Sequence, residues 1–148
     1  RTMARGAFKL LAVFGAIQLA AGSVQDLGGG LTLEMTKQGD GVHFPKAGDR
    51  LTMHYTGTLA KGGSKFDSSR DRGQPFEFKI GEGEVITGWD NGVIKMSLGE
   101  RAMLHVPSDM GYGAGGAPPV IPPNADLNFD VELLAINGQT TLKQHNLE

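Results

Sequence analysis

The 148-residue chain contains no cysteine. Without thiols there is no disulfide framework, no thiolate zinc site and no cysteine nucleophile. Histidine is scarce: His43, His54, His105 and His145 are scattered without HxH or HExxH pairing, and the acidic residues show no calcium-loop spacing. That pattern argues against a structural metal. Neither charge sign is in excess, since 14 Lys plus Arg against 16 Asp plus Glu leave a net charge of −2. With no basic field to collect phosphates, nucleic acid is not an expected partner. The longest mostly apolar run, Leu10 to Ala21 with Gln18 inside it, falls short of the roughly 20 residues that a membrane-spanning helix needs. Aromatic side chains number ten: seven Phe, two Tyr and the single Trp89.

What is present suits one folded domain. Leu, Ile, Val and Phe occupy 36 positions, above the level of about one-fifth below which burial cannot offset ordering entropy. Glycine is the abundant residue, with 23 copies and no G-x-y period, which implies many turns and close backbone approaches.

The first thirty residues read as a separate region. Arg5 and Lys9 precede the apolar run, and Ala20-Ala21-Gly22 follows it. This is the layout of a secretory signal peptide over residues 3–22, cleaved after Gly22, and it predicts the secretory pathway or another extracytoplasmic lumen. The alternative is a retained N-terminal helix on a cytoplasmic protein, although Val13, Phe14, Ala16 and Ile17 leave it no polar face. Gly28-Gly29-Gly30 reads as a flexible joint. The expected division is 1–30 for this segment and linker, 31–137 for the domain, and 138–148 for a polar tail.

Apolar and polar residues alternate over Leu31–Met35, Leu51–Tyr55, Phe76–Ile80, Ala102–Val106 and Leu127–Leu133, the period of half-buried strands. Five such strands predict an antiparallel sheet with one wet face. Ile86, Trp89, Val93 and Met96 recur instead at helical steps, so one short helix must cover the dry face. The fold class is α+β, a sheet of about five strands wrapped around one short helix. Gly111–Ala125 carries too much Gly and Pro for a regular element, and long irregular connections tend to be functional.

Aromatic residues cluster near turns in separate parts of the chain. Tyr55 precedes an apparent strand break at Gly57; Phe66, Asp67 and Phe76 flank one loop; Val85, Ile86 and Trp89 sit at the helix start; Tyr112, Ile121 and Phe129 come later. If they converge, they line a cavity with Asp67, two phenol hydroxyls and the Ile86 N–H as its polar points, which is the composition of a small-molecule or peptide pocket. Periodicity alone leaves plain core as an equal reading, and Asp67 alone reads more simply as a turn residue capping its own backbone. The acidic pairs Asp67/Asp71 and Glu82/Glu84 could be acid–base couples, yet no GxSxG motif and no histidine near a candidate serine accompanies them in sequence. Gly81, Gly83, Gly88 and Gly92 lack the Gly-Lys-Ser/Thr ending of a phosphate loop.

The blocks VHFPKAGD (42–49), HYTG (54–57), KFDSSRDR (65–72), EVITGWD (84–90) and FDVELL (129–134), with Gly111-Tyr112-Gly113 and Pro122-Pro123, resemble in order and spacing the FK506-binding family of peptidyl-prolyl cis/trans isomerases. The likeness spans about Leu31 to Asn137 and is nearest the small single-domain type. It implies a strongly twisted antiparallel sheet curled around a short helix, with the ligand between them and no cofactor. Carried over by position, the site would comprise Tyr55, Phe66, Asp67, Arg72, Phe76, Glu84, Val85, Ile86, Trp89, Tyr112, Val120, Ile121 and Phe129. Among these, Tyr55, Asp67, Trp89, Tyr112 and Phe129 would be catalytic, with Trp89 as the floor and the Ile86 N–H and Tyr112 hydroxyl as donors to ligand carbonyls. Ala117, Pro119 and Val120 depart from His, Gly and Ile found in some members, which puts peptide preference and macrolide contacts in question more than activity. The resemblance implies proline-containing peptides, folding proteins and macrolide immunosuppressants as partners, acting on a monomer. A binding module with incidental isomerisation, and a secretory folding factor that also prevents aggregation, are the rival readings.

Overall fold

The computed structural model describes residues 20–141. The signal-or-helix expectation for residues 3–22 therefore lies almost wholly outside the described residues, as does the end of the tail. Seven strands form one antiparallel sheet: β1 (Val24–Asp26), β2 (Thr32–Lys37), β3 (Arg50–Leu59), β4 (Lys65–Ser68), β5 (Phe76–Lys79), β6 (Arg101–Val106) and β7 (Leu127–Ile136). Among the described residues two helices join them, α1 (Ser69–Arg72) and α2 (Thr87–Gly92), the latter continued by a 3-10 turn at Val93–Lys95. The sheet runs β1-β2-β6-β7-β3-β4, with β5 also paired to β3.

Alternation sorts the side chains. Leu51, Met53 and Tyr55 of β3, Ala102, Leu104 and Val106 of β6, and Leu127, Phe129, Val131 and Leu133 of β7 are all buried on the dry face. Each large apolar side chain buried there contributes about 1.5–3 kcal/mol. Trp89, Val93 and Met96 close the core from the helix side. The helix lies flush on β6 because two of its residues have no side chain. A Cβ at Gly88 would stand 2.5 Å from Val106 Cγ1, and one at Gly92 would stand 2.6 Å from Leu104 Cδ1. That close approach sets the depth at which Trp89 enters the core.

Strand β3 organises the site. One of its edges pairs with β7 from Leu51 to Leu59. The other is shared, with β5 covering Arg50–Met53 and β4 covering Thr56–Thr58. In the gap at Tyr55 a side chain replaces a strand: the Ser69 hydroxyl oxygen accepts the Tyr55 N–H at 2.8 Å and lies 3.2 Å from the Tyr55 carbonyl. Helix α1, which carries Ser69, starts with Ser68 accepting the Asp71 N–H at 3.2 Å and ends at Gly73 in the left-handed region.

The structure differs from the sequence expectation in four places. Val24–Asp26 pairs with Thr32–Glu34, so the domain begins ahead of Leu31 and the three glycines form a tight hairpin turn, not a joint. All three have positive φ, and composition alone does not separate a linker from a turn that needs this backbone. β4, with one apolar residue in four, is too short to show a period. β3 does not break at Gly57 but continues to Leu59. The connection 111–125 does contain regular pieces, a 3-10 turn at Gly113–Gly115 and a bridge between Ala117 and Ile121 across the cis Pro118–Pro119 bond.

Candidate active site

Where β3, β4 and β7 meet the start of α2, a cleft of about 400 Å³ opens, lined by Tyr55, Phe66, Asp67, Phe76, Glu84, Val85, Ile86, Trp89, Tyr112 and Phe129. The indole of Trp89 is 4% exposed and forms its floor. Around it, Tyr55 stands edge-on at 5.1 Å, Phe129 at 5.4 Å and Phe76 at 6.0 Å between ring centroids. Phe66 meets Phe129 edge-on at 5.7 Å. Such pairs contribute about 0.5–1.5 kcal/mol each beyond area burial and fix the tilt of the walls. The Trp89 Nε1–H is buried without an acceptor, and the Ile86 N–H at the head of α2 has no partner among the described residues.

One charged cluster borders the cleft. The Tyr55 hydroxyl donates to Asp67 Oδ2, Arg72 Nη1 donates to Asp67 Oδ1, and Arg72 Nη2 donates to the Tyr55 oxygen at 3.2 Å. Burial would raise the Asp67 carboxyl, but the hydrogen bonds from Tyr55 and Arg72 and the guanidinium charge outweigh it, so the group is held below the ordinary carboxylate value. Burial, then the hydrogen bond to Asp67, pushes the Tyr55 phenol up. Burial and the Asp67 charge do the same to Tyr112. Both phenols thus keep their protons across the physiological range, and Tyr112 is 43% exposed at the rim, its hydroxyl without a partner among the described residues.

Ten of the thirteen residues singled out in the sequence line the cleft. Arg72 stands behind it and acts on it only through Asp67 and Tyr55. Val120 and Ile121 do not line it, contrary to expectation: the Ala117–Ile121 bridge turns Ile121 into the core at 3% exposure and leaves Val120 at the loop tip at 54%. Asp67 lies in the strand β4, not in a turn, and Tyr55 and Arg72 hold its carboxylate. Asp71 pairs with Lys65 while Asp67 is held by Tyr55 and Arg72, and Glu84 accepts the Lys79 N–H at 3.1 Å.

The fold does bring a histidine to a serine that the sequence keeps apart, His54 Nδ1 lying 2.8 Å from Ser69 Oγ. This is no nucleophile site, because Ser69 is 0% exposed and its hydroxyl is held by the Tyr55 backbone. A second cavity, of about 380 Å³, lies beyond the 3-10 turn against Met35, Phe44 and Ile94. Phe44 is the one ring that lines it among the described residues.

Aromatic walls, a buried indole floor and rim donors suit a compact apolar ring flanked by amide carbonyls. The comparisons agree. Residues 41–134 match the family model of the FKBP-type peptidyl-prolyl cis-trans isomerase. The chain is 59% identical over 108 residues to FK506-binding protein 1 of Yarrowia lipolytica, covering 73% of this chain and 99% of that one. It is 60% identical over 110 residues to a peptidyl-prolyl cis-trans isomerase of Schizosaccharomyces pombe, covering 74% and 97%. With FK506-binding protein 1 of Saccharomyces cerevisiae it shares 54% over 109 residues, covering 74% and 95%. The chain belongs to the FKBP-type peptidyl-prolyl cis-trans isomerase family, and it is an isomerase of X-Pro bonds.

Proposed function

We propose that the ring-walled cleft over Trp89 is where the X-Pro bond rotates, without any covalent link to the enzyme. The carrying observation is the enclosure of that indole by Tyr55, Phe76 and Phe129 on one side of a cleft open to solvent on the other. Rotation meets a barrier of about 18–20 kcal/mol because amide resonance must be broken. The planar amide separates charge between O and N, and the half-rotated amide separates less. Water favours the planar form, so a dry wall of rings favours the twisted one. Every 1.36 kcal/mol of that difference is a factor of ten in rate.

In this reading Trp89, Phe76, Val85 and Ile86 hold the proline ring, while Tyr55, Phe66 and Phe129 wall the carbonyl side. The Ile86 N–H and the Tyr112 hydroxyl donate to flanking carbonyls. Asp67 is locked by Tyr55 and Arg72, so it contributes a fixed field and no proton. The substrates are proline-containing peptides and folding proteins, and the same cleft takes FK506-type macrolides, a binding supported by the names of the relatives from Yarrowia lipolytica and Saccharomyces cerevisiae. A protease-coupled proline tetrapeptide assay with and without such a macrolide tests this. Turnover abolished by stoichiometric macrolide is the expected result; turnover that persists at saturation overturns the shared cleft. Secretory localisation is proposed from residues 3–22 alone: a protein isolated from its host beginning near Ser23 supports it, and one beginning at Met3 overturns it.

A further inference from the structure

We propose that Gly57 is a positioning residue of the isomerase cleft, its missing side chain being the socket that lets Phe66 stand against Phe129 in the wall. The inference rests on the cleft being the isomerase site. The dry-face positions of β3 run Leu51, Met53, Tyr55, Gly57, so the series of apolar side chains stops where a ring from the next strand arrives. Gly57 is paired with Asp67 on β4 and with Phe129 on β7, which sets it between the two flanking strands of the wall.

The space, not the backbone, is what requires glycine here. Gly57 is absent from the glycines with positive φ, so any residue could adopt its conformation. A Cβ, however, would stand 2.6 Å from Phe66 Cζ, 2.8 Å from Phe66 Cε1 and 3.0 Å from Phe129 Cε1, inside van der Waals contact with both rings.

The two rings differ in their freedom to yield. Phe129 is 3% exposed and is held edge-on by Trp89 at 5.4 Å and by Tyr55 at 6.4 Å. Phe66 is half-buried, and Phe129 is its one ring neighbour among the described residues. A methyl group at position 57 therefore expels Phe66 toward solvent while the sheet and Phe129 stay in place. The wall opens, water reaches the carbonyl side, and the fold survives.

The test is a double-mutant cycle of Gly57→Ala and Phe66→Ala, with kcat and KM measured on a proline tetrapeptide and folding followed by thermal melts. Because a misplacement of about 1 Å can cost a hundredfold, Gly57→Ala is expected to lower kcat/KM by about tenfold, as much as Phe66→Ala. In the double variant the loss is no larger than in either single one, since the socket has no use once its ring is gone. Wild-type kcat/KM in Gly57→Ala, or losses that multiply in the double variant, overturns the role of Gly57. Failure of the unaltered chain to isomerise the peptide would instead overturn the reading on which the role rests.

Discussion

Glu100 offers a stability test outside the cleft. It is 2% exposed, its Oε1 accepts the Ser97 N–H at 3.2 Å, and its Oε2 is buried without a partner. Burial pushes its carboxyl up from the ordinary 4.5, and the Ser97 hydrogen bond offsets this only in part. Above pH 4.5 the unfolded chain releases the proton first, so the native state binds more protons and stability falls as pH rises, until the native carboxyl has ionised as well. Glu100→Gln keeps the acceptor for Ser97 and removes the charge. The amide nitrogen takes the place of the partnerless oxygen, so only the charge is removed; because an unsatisfied buried group costs more when it is charged, the variant should be more stable by about 1 kcal/mol at pH 7. For a domain of this size that is a rise in Tm of several degrees. Urea denaturation of both proteins from pH 4 to pH 8 should give a difference near zero at the acid end that grows to a plateau. A difference that does not change with pH, or a less stable variant at pH 7, would refute the account of Glu100 as a buried carboxylate lacking a partner.

Three further outcomes can be checked. Asp67→Val removes the anion that Tyr55 and Arg72 hold, and it should lower kcat/KM about tenfold or more with an unchanged far-UV circular dichroism spectrum. Phe129→Trp overfills the wall beside Trp89 and should reduce kcat more than it raises KM, measured on the same peptide. Gly88→Ala drives a methyl group into Val106 and should cost about 1–3 kcal/mol in urea denaturation, with Trp89 fluorescence reporting the lifted helix.

The parts of the fold legible in the sequence are those where a period had room to show. β7 repeats its alternation over ten residues, and the helix announces itself by a change of step from Ile86 to Met96. β1 and β4 have three and four residues, so their identity as strands comes from the neighbour they pair with. The candidate site was readable as residue types, because its rings sit beside turns, and the family resemblance supplied their grouping. Which way each faces was not readable in the long connection, where one hydrogen-bonded bridge decides that Ile121 goes inward and Val120 outward. Gly57 looked like an interruption, and only the positions of Phe66 and Phe129 make it a socket. Ser69 carried no signal beyond a small polar residue, yet it bonds the backbone of Tyr55.

The shared outer edge of β3 has a consequence for how a client chain can be gripped. Unpaired strand edges recruit extended peptides as an extra strand, with a ladder of main-chain hydrogen bonds. Here β5, the Ser69 hydroxyl and β4 have already claimed that edge in succession. A visiting polypeptide cannot lengthen the sheet beside Tyr55, so in the proposed mode its grip would come from one ring and a pair of carbonyls, with no long register to satisfy.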